Sequence, residues 1–241
     1  MFRRRDNRQW DQLRQIKFTR NFTKNADGSV LVEFGDTKVF TTAKIEERVP
    51  AFLIGKAEGW ITAEYSLLPG STLVRSAREV TRGQASGRTN EIQRLIGRCL
   101  RTVVDRRALG ERTITIDCDV FQADGGTRVA SICGGFLALH DALTKLRKEG
   151  LWDELPLTEH LAAVSICQVK GQLLLDPNYT EDSQAEMDSN IILTESGKIL
   201  ELQMTAETKP FDTAKLQDLM SLADKGIKEI ISKQYEVLNR R

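Results

Sequence analysis

Residues 123–127, Ala-Asp-Gly-Gly-Thr, separate two apolar segments, and Arg128 follows them. If a helix begins at this point, its first backbone N–H groups lack partners and attract an anion. Glycine lets a ligand come close to the backbone, and Thr127 and Arg128 add a hydroxyl and a guanidinium. The pattern favours a phosphate site made by Gly126, Thr127 and Arg128. The alternative is an ordinary Asp-Gly-Gly turn with threonine as a helix cap.

The segment from residue 75 to residue 107 is rich in arginine and contains no lysine. Its nine arginines are Arg75, Arg78, Arg82, Arg88, Arg94, Arg98, Arg101, Arg106 and Arg107. The planar guanidinium suits bidentate contacts with phosphate oxygens, whereas an ordinary solvated surface mixes in lysine. The segment therefore favours an RNA or DNA backbone as partner. For Arg94, Arg98 and Arg101, on a predicted helix, surface ion pairs or an oligomer interface are the favoured interpretation.

Residues 179–188, YTEDSQAEMD, contain a cluster of carboxylates. Asp182, Glu186 and Asp188 are oxygen ligands of the kind that Mg²⁺ takes, usually one or two per ion, with water and substrate phosphate as the other ligands. If a strand begins by Glu186, then Glu186 and Asp188 project to the same face. The cluster predicts a cation site, and its alternative is a solvated acidic loop before a strand.

The spacing of apolar residues predicts the elements that must position these groups. Alternation predicts strands at residues 29–34, 37–43, 59–67, 114–120, 162–169, 172–175, 190–194 and 199–204. Helical spacing predicts helices at residues 90–104, 129–146 and 213–238. Asn90 is a candidate N-cap of the first helix, with Gln93 as its reciprocal partner. Hairpins grouped between helices indicate an α+β fold of sheet and helix layers, in one domain spanning residues 1–241.

Composition excludes several classes of protein. The chain has 241 residues, 40% hydrophobic and 29% charged, enough for a large core. No window approaches the roughly 18 uninterrupted apolar residues of a membrane span, and the start lacks the apolar core of a signal peptide, so we expect a cytoplasmic protein with no membrane partner. Four cysteines in separate apolar stretches and only two histidines argue against a disulfide framework and a zinc site.

Five blocks of the sequence resemble the ribonuclease PH family of phosphate-dependent 3′→5′ exoribonucleases, which trim tRNA precursors. The blocks are GSVLVEFGDTKV (28–39), GWITAEYSLLP (59–69), GRTNEIQRLIGR (87–98), LGERTITIDCDVFQADGGTR (109–128) and YTEDSQAEMDSN (179–190). The resemblance implies the two-layer α+β fold of the ribonuclease PH type, similar to domain 2 of ribosomal protein S5. It also implies assembly as a homohexameric ring, a trimer of dimers, acting on tRNA precursors and other RNA 3′ ends.

The resemblance also assigns roles to individual residues by their position in the matching blocks. It assigns phosphate binding to Arg88, Gly126, Thr127 and Arg128. It assigns catalysis and Mg²⁺ binding to Asp182 and Asp188. It assigns RNA binding to Arg75, Arg78 and Arg82. The sequence departs from the common bacterial pattern at Gly70, Leu73, Gln84 and Asn178. At the first three positions a basic side chain is common, and at Asn178 an acidic one is.

These roles imply a reaction in which inorganic phosphate attacks the last phosphodiester and releases a nucleoside 5′-diphosphate. The departing 3′-oxygen is stabilised by Mg²⁺ on Asp182 and Asp188, or by Asp182 as a proton donor. The cation is favoured because a carboxyl group beside Arg88 and Arg128 should stay ionised. Two other functions are consistent with the same residues: an RNA-binding ring subunit without catalysis, and a phosphotransferase for a small molecule.

Overall fold

A computed structural model describes residues 3–208 and 210–239, without the side chains of Val80 and Arg82. Its strands are β1 (Ile16–Arg20), β2 (Gly28–Phe34), β3 (Thr37–Glu46), β4 (Trp60–Leu67), β5 (Thr113–Gln122), β6 (Leu161–Val169), β7 (Gln172–Leu175), β8 (Met187–Thr194) and β9 (Ile199–Ala206). Its helices are α1 (Gly87–Thr102), α2 (Arg106–Leu109), α3 (Thr127–Lys148), α4 (Tyr179–Asp182) and α5 (Lys215–Leu238). Short 3₁₀ turns lie at Ala51–Leu53 and Glu79–Arg82.

The strands form two sheets. The first has five strands in the order β1-β2-β3-β5-β4, and the second has four in the order β7-β6-β8-β9. The three predicted hairpins are present as β2–β3, β6–β7 and β8–β9, each antiparallel. β4 instead lies parallel to β5, because α1 carries the chain back across the sheet between them. The α+β prediction is therefore confirmed, while β1, α2 and α4 were not predicted.

Helix α3 lies between the two sheets and packs on β2 and β3 of one and on β6 of the other. A single cluster of buried apolar residues contains side chains from both sheets and from α1, α3 and α5. Gly134 permits this close packing, since a Cβ atom there would lie 2.2 Å from Val32 Cγ2. By length and composition α3 is a helix that could cross a membrane, but 83% of that apolar stretch is buried within the protein. Its apolar character is thus explained by its central position.

The start of α1 differs from the prediction. Ser86 is the N-cap, and its Oγ accepts a hydrogen bond from the backbone N–H of Thr89 at 3.1 Å. The prediction of Asn90 as the N-cap is therefore wrong, because Ser86 offers a capping hydroxyl one turn earlier. Gln93 instead accepts a hydrogen bond from the backbone N–H of Tyr65. The earlier start places Arg88 in the first turn of α1.

All four cysteines are free and buried, as expected for small core residues. They are Cys99, Cys118, Cys133 and Cys167. Burial raises the pKa of the Cys99 thiol to about 12, and that of Cys133 to about 12 as well. Thiols with such pKa values stay protonated near neutral pH, which makes them poor nucleophiles and poor metal ligands.

Candidate active site

A cavity of about 480 Å³ opens where β5 leads into α3, between the start of α1 and the segment from α4 to β8. Six of the predicted site residues line it: Arg88, Gly126, Thr127, Arg128, Asp182 and Asp188. Six polar side chains that the sequence did not single out also line it: Tyr65, Thr72, Ser165, Tyr179, Ser189 and Asn190. The fold thus brings the predicted basic and acidic groups from distant parts of the chain into one space.

Residues 124–126, here called the glycine turn, have a backbone that requires glycine. Gly125 and Gly126 have φ angles of 77° and 67°, in the left-handed region where a side chain is strained. A Cβ atom on Gly125 would also lie 2.6 Å from the carbonyl oxygen of Pro177. The two glycines therefore allow the turn to bend sharply while it packs against the chain that leads into α4.

Helix α3 begins directly after this turn. Gly126 occupies its N-cap position and makes no side-chain cap, so the alternative of a threonine cap is excluded. Within the described part of the chain, the backbone N–H groups of residues 125–128 have no hydrogen-bond acceptor. Four such groups in sequence, at a helix N-terminus and on a cavity wall, form a site for an anion. The Oγ1 atom of Thr127 lies 2.9 Å from the hydroxyl oxygen of Tyr65, which fixes its orientation.

The two arginines of the cavity differ in how they are held. Arg128 donates from Nη1 to Oε1 of Gln203 at 2.6 Å and from Nη2 to Oε2 of Glu91 at 3.1 Å. Gln203 Nε2 donates in turn to Oε1 of Glu91 at 3.0 Å, which closes a ring of three side chains. Arg88 is exposed and makes no hydrogen bond or ion pair to any residue that the structure describes. One guanidinium is therefore fixed in direction, and the other is free to meet a ligand.

The opposite wall carries two carboxylates. Asp182 ends α4, and Asp188 is the second residue of β8. Burial raises the pKa of Asp182 above its ordinary value, although Arg88 and Arg128 act to lower it. Burial also raises the pKa of Asp188, and the negative charge of Asp182 raises it further. The charges of Arg88 and Arg128 were expected to keep Asp182 ionised, but burial has the larger effect on its pKa.

Glu186 does not belong to this wall. It accepts hydrogen bonds from Nε2 of Gln168 at 2.8 Å and from the backbone N–H of Gly171 at 3.2 Å. No group of three or more His, Cys, Asp or Glu among the described residues is arranged to hold a metal ion. Asp182 and Asp188 remain as a buried pair with raised pKa values, and a bound cation would stabilise both in their ionised form. Two carboxylates suit Mg²⁺, because that ion takes its other ligands from water and substrate phosphate.

A capping box positions Asp182. Oδ1 of Asn178 accepts a hydrogen bond from the N–H of Glu181 at 3.0 Å, and Oε2 of Glu181 accepts one from the N–H of Asn178 at 3.1 Å. The buried Glu181 also receives two hydrogen bonds from Arg4, at 2.8 and 2.7 Å. Asn178 therefore caps α4, as an aspartate at this position would. The spacing of Asn178 and Glu181 was visible in the sequence, whereas the contact with Arg4 was not.

Arg75 and Arg78, two of the three arginines assigned to RNA binding, lie outside the cavity wall. Arg75 and Arg78 are exposed in the segment before α1, and the side chain of Arg82 is not among the described residues. Arg78 lines a second cavity of about 610 Å³ on the other face of the first sheet, near Asp117 and Asp119. The structure therefore does not bring Arg75 or Arg78 to the phosphate end of the site.

Two of the three arginines on the outer face of α1, Arg98 and Arg101, contact the protein itself, whereas Arg94 is exposed. Nη1 of Arg98 lies 3.5 Å from Oε2 of Glu201. Arg101 donates to the carbonyl oxygen of Ile61 at 2.6 Å, and its guanidinium lies 4.2 Å from the ring centre of Trp60. The ion-pair interpretation is confirmed for Arg98, and Arg101 is held by the neighbouring strand.

Two family models match the chain. One is described as "3' exoribonuclease family, domain 1" and matches residues 12–145, and the other is described as domain 2 of the same family and matches residues 161–226. Every residue assigned to the site lies within one of these two segments. The first segment contains the basic groups and the glycine turn, and the second contains Asp182 and Asp188.

Several solved structures share this fold. The Archaeoglobus fulgidus exosome with RNA bound to its active site has a TM-score of 0.82 at 21% identity, over 96% of this chain and 92% of that one. Rrp46 of rice (Oryza sativa) has a TM-score of 0.79 at 17% identity, over 98% and 100%. An archaeal exosome core has a TM-score of 0.78 at 20% identity, over 97% and 91%. At these identities the likeness establishes the fold.

Proposed function

The chain belongs to the 3′ exoribonuclease family, and on that premise we propose that it is an active, phosphate-dependent 3′→5′ exoribonuclease. It trims the 3′ ends of tRNA precursors, transfers their terminal nucleotides to inorganic phosphate and releases nucleoside 5′-diphosphates. One observation carries the proposal. One cavity has two arginines and four backbone N–H groups without an acceptor among the described residues on one side, and two carboxylates on the other.

The basic side of the cavity suits the attacking phosphate. The reaction must hold one anion against another, so the binding groups have to neutralise charge and fix an in-line approach. The N–H groups of residues 125–128 and the guanidinium of Arg88 supply neutral and charged donors. Arg128 uses one bond each to Gln203 and Glu91, which leaves three of its five N–H donors for phosphate. Donors fixed before the reaction stabilise charge without reorganising.

The bonds and charges of the reaction balance without an added acid or base. An oxygen of the hydrogen phosphate dianion bonds to the phosphorus of the last phosphodiester, and the bond from that phosphorus to the 3′-oxygen breaks. The proton of the dianion ends on the released 3′-oxygen. The nucleoside diphosphate carries the charge of both reacting anions. The chain therefore needs to supply binding, orientation and charge stabilisation.

The acidic side of the cavity suits the departing 3′-oxygen. Asp182 and Asp188 would hold Mg²⁺, which when bound stabilises negative charge on that oxygen. Burial raises the pKa of Asp182, which supports a second role for this side chain as the group that holds a proton near the 3′-oxygen. Either role requires Asp182 to face the departing 3′-oxygen, on the side of the phosphorus atom opposite the incoming phosphate.

We further propose a homohexameric ring of three dimers in the cytoplasm as the working assembly. The similarity to exosome cores supports an assembly of several subunits, and RNA at the active site of the A. fulgidus exosome supports RNA as the substrate. Arg75 and Arg78 are exposed and suited to the RNA backbone. Leu73 and Val74, 93% and 82% exposed, line the cavity nearby and suit contact with bases.

A single assay tests the proposal. The purified protein is incubated with a tRNA precursor that carries extra 3′ nucleotides, with Mg²⁺, in phosphate buffer or in phosphate-free buffer. We expect shortening in phosphate only, with nucleoside diphosphates as the product. Release of monophosphates without phosphate would identify a hydrolytic nuclease. Binding without shortening would identify a non-catalytic RNA-binding subunit, and turnover of a nucleotide without release from RNA would identify a small-molecule phosphotransferase.

A further inference from the structure

Two buried side chains from the start of the chain hold the glycine turn in place. Arg14, two residues before β1, donates from Nη1 to the carbonyl oxygen of Asp124 at 2.6 Å and from Nη2 to that of Gly125 at 3.3 Å. Thr37, the first residue of β3, donates from Oγ1 to the same Gly125 oxygen at 2.6 Å and accepts from the N–H of Asp124 at 3.0 Å. Arg14 and Thr37 are 7% and 0% exposed, and neither lines the cavity.

These contacts decide which way the N–H groups of the turn point. In a planar trans peptide the C=O and N–H bonds point in opposite directions. Because Arg14 and Thr37 hold the carbonyl of Gly125, the N–H of Gly126 points away from them. Arg14 acts in the same way on the preceding peptide, between Asp124 and Gly125, so the N–H of Gly125 also points away from it. Glycine has few backbone constraints of its own, so these side chains supply the order that the turn lacks.

Arg14 also joins the turn to the acidic wall of the cavity. Its Nε and Nη2 donate to the two oxygens of Asp176 at 3.0 and 2.7 Å, and its backbone N–H donates to Oδ2 at 2.9 Å. Asp176 lies two residues before Asn178, which caps the helix that ends in Asp182. Oδ1 of Asp124 accepts a hydrogen bond from the N–H of Tyr179, in that same helix, at 3.1 Å. A displacement of Arg14 would therefore move both walls.

We propose that Thr37 and Arg14 are positioning residues for the bound phosphate. They aim the N–H groups of Gly125 and Gly126 at the ion and set its distance from Asp182, without touching it. The inference rests on the proposed function, because it takes phosphate as the ligand of the glycine turn. It goes beyond that function by naming residues outside the cavity that determine phosphate affinity.

Thr37→Val is the most direct test, because valine keeps the shape of threonine and removes the hydroxyl. We expect the KM for phosphate and the Kd for inorganic phosphate to rise about tenfold, since small displacements of positioning groups have effects of this size. The KM for RNA should stay within twofold of the wild-type value, on the order of experimental scatter. Thr37→Ser restores the hydroxyl and should restore phosphate affinity. Thr42→Val, in the same strand and bonded to Asp117 instead, is the matched control.

Arg14→Lys is the second variant, in case Thr37→Val does not fold. Lysine keeps a positive charge beside Asp176 but lacks the fork that reaches both carbonyls, so phosphate affinity should fall in the same direction. Phosphate affinity is measured by calorimetry with inorganic phosphate, which needs no turnover. Wild-type phosphate affinity in Thr37→Val, or equal losses in Thr37→Val and Thr37→Ser, would overturn the inference alone. A wild-type protein that neither binds nor uses phosphate would overturn the proposed function and this inference with it.

Discussion

Two groups of arginines in this protein have opposite surroundings. The interior arginines, Arg4 and Arg14, have side chains that are 1% and 5% exposed and pair with Glu181 and Asp176. The outer arginines, Arg75, Arg78 and Arg88, are exposed, and their side chains form no ion pair with any described residue. The difference shows that a buried carboxylate decides whether an arginine holds the chain together or remains available to a ligand.

Arg88→Ala should have the largest effect on activity. Loss of its guanidinium removes a charged donor from the phosphate, and we expect phosphorolysis to fall about 10³-fold, as for loss of a preorganised donor elsewhere. Because Arg88 has no partner in the described chain, thermal unfolding should be unchanged. Release of nucleoside diphosphates and a melting curve measure the two effects. A loss of stability as large as that of Arg4→Ala would show that Arg88 supports the fold like the interior arginines, and would contradict the difference between the two groups.

Arg4→Ala should have the largest effect on stability. The substitution leaves Glu181 buried without its partner, which we expect to lower the free energy of unfolding by about 3 kcal/mol. Arg5→Ala is the matched control, because Arg5 is exposed and should change this free energy by less than about 0.5 kcal/mol. Urea denaturation measures both variants. Similar values for the two would show that the interior pair adds little to stability.

The pH dependence of stability should also differ between Asp176, which pairs with an interior arginine, and Asp182 in the cavity. Burial alone would raise the pKa of Asp176, but Arg14 lowers it below its ordinary value. The stability contributed by this pair is therefore complete above about pH 4 and is lost as the pH falls through the lowered pKa. Asp182 affects stability in the opposite direction. Because its pKa is raised, its ionised form lowers the stability of the fold as the pH rises above about 4.

Asp182→Asn should therefore abolish turnover and raise the melting temperature at neutral pH. Asp176→Asn should lower the melting temperature at neutral pH and weaken its dependence on acid. Melting curves measure both effects when they are recorded from about pH 3, where carboxyl groups titrate, to about pH 8. A lower melting temperature for Asp182→Asn would show that this side chain stabilises the fold.

The double substitution Arg75→Ala and Arg78→Ala should have the smallest effect. These side chains are exposed and lie away from the phosphate end of the cavity, so we expect a loss of RNA affinity of a few-fold and unchanged phosphate affinity. Binding of single-stranded RNA at several salt concentrations provides the measurement. The slope of log K against log salt is negative, and its magnitude should decrease by about 0.7 for each arginine that contacts RNA. An unchanged slope would show that neither contacts the RNA backbone.

The residue types that line the cavity could be predicted from the sequence, because each block carries its own residue types. Residue type and spacing marked the glycine turn and the acidic cluster as candidate phosphate and cation groups, and the family resemblance singled out Arg88 and Asp182 from their neighbours. Their supports were not recognisable, since Arg4 and Glu181 are 177 positions apart. The N-cap of α1 was misplaced because serine and asparagine both cap helices, and only the backbone path separates Ser86 from Asn90.

The ring formed by Arg128, Glu91 and Gln203 joins two helices of the first matched segment, α1 and α3, to a strand of the second, β9. The cavity lies on this same boundary, with its cationic groups contributed by one segment and its carboxylates by the other. Neither segment alone contains both the basic groups and the carboxylates, so the cavity is complete only when the two segments fold together. Splitting the chain near residue 150 and recombining the fragments would restore the complete cavity only to the extent that the fragments reassociate.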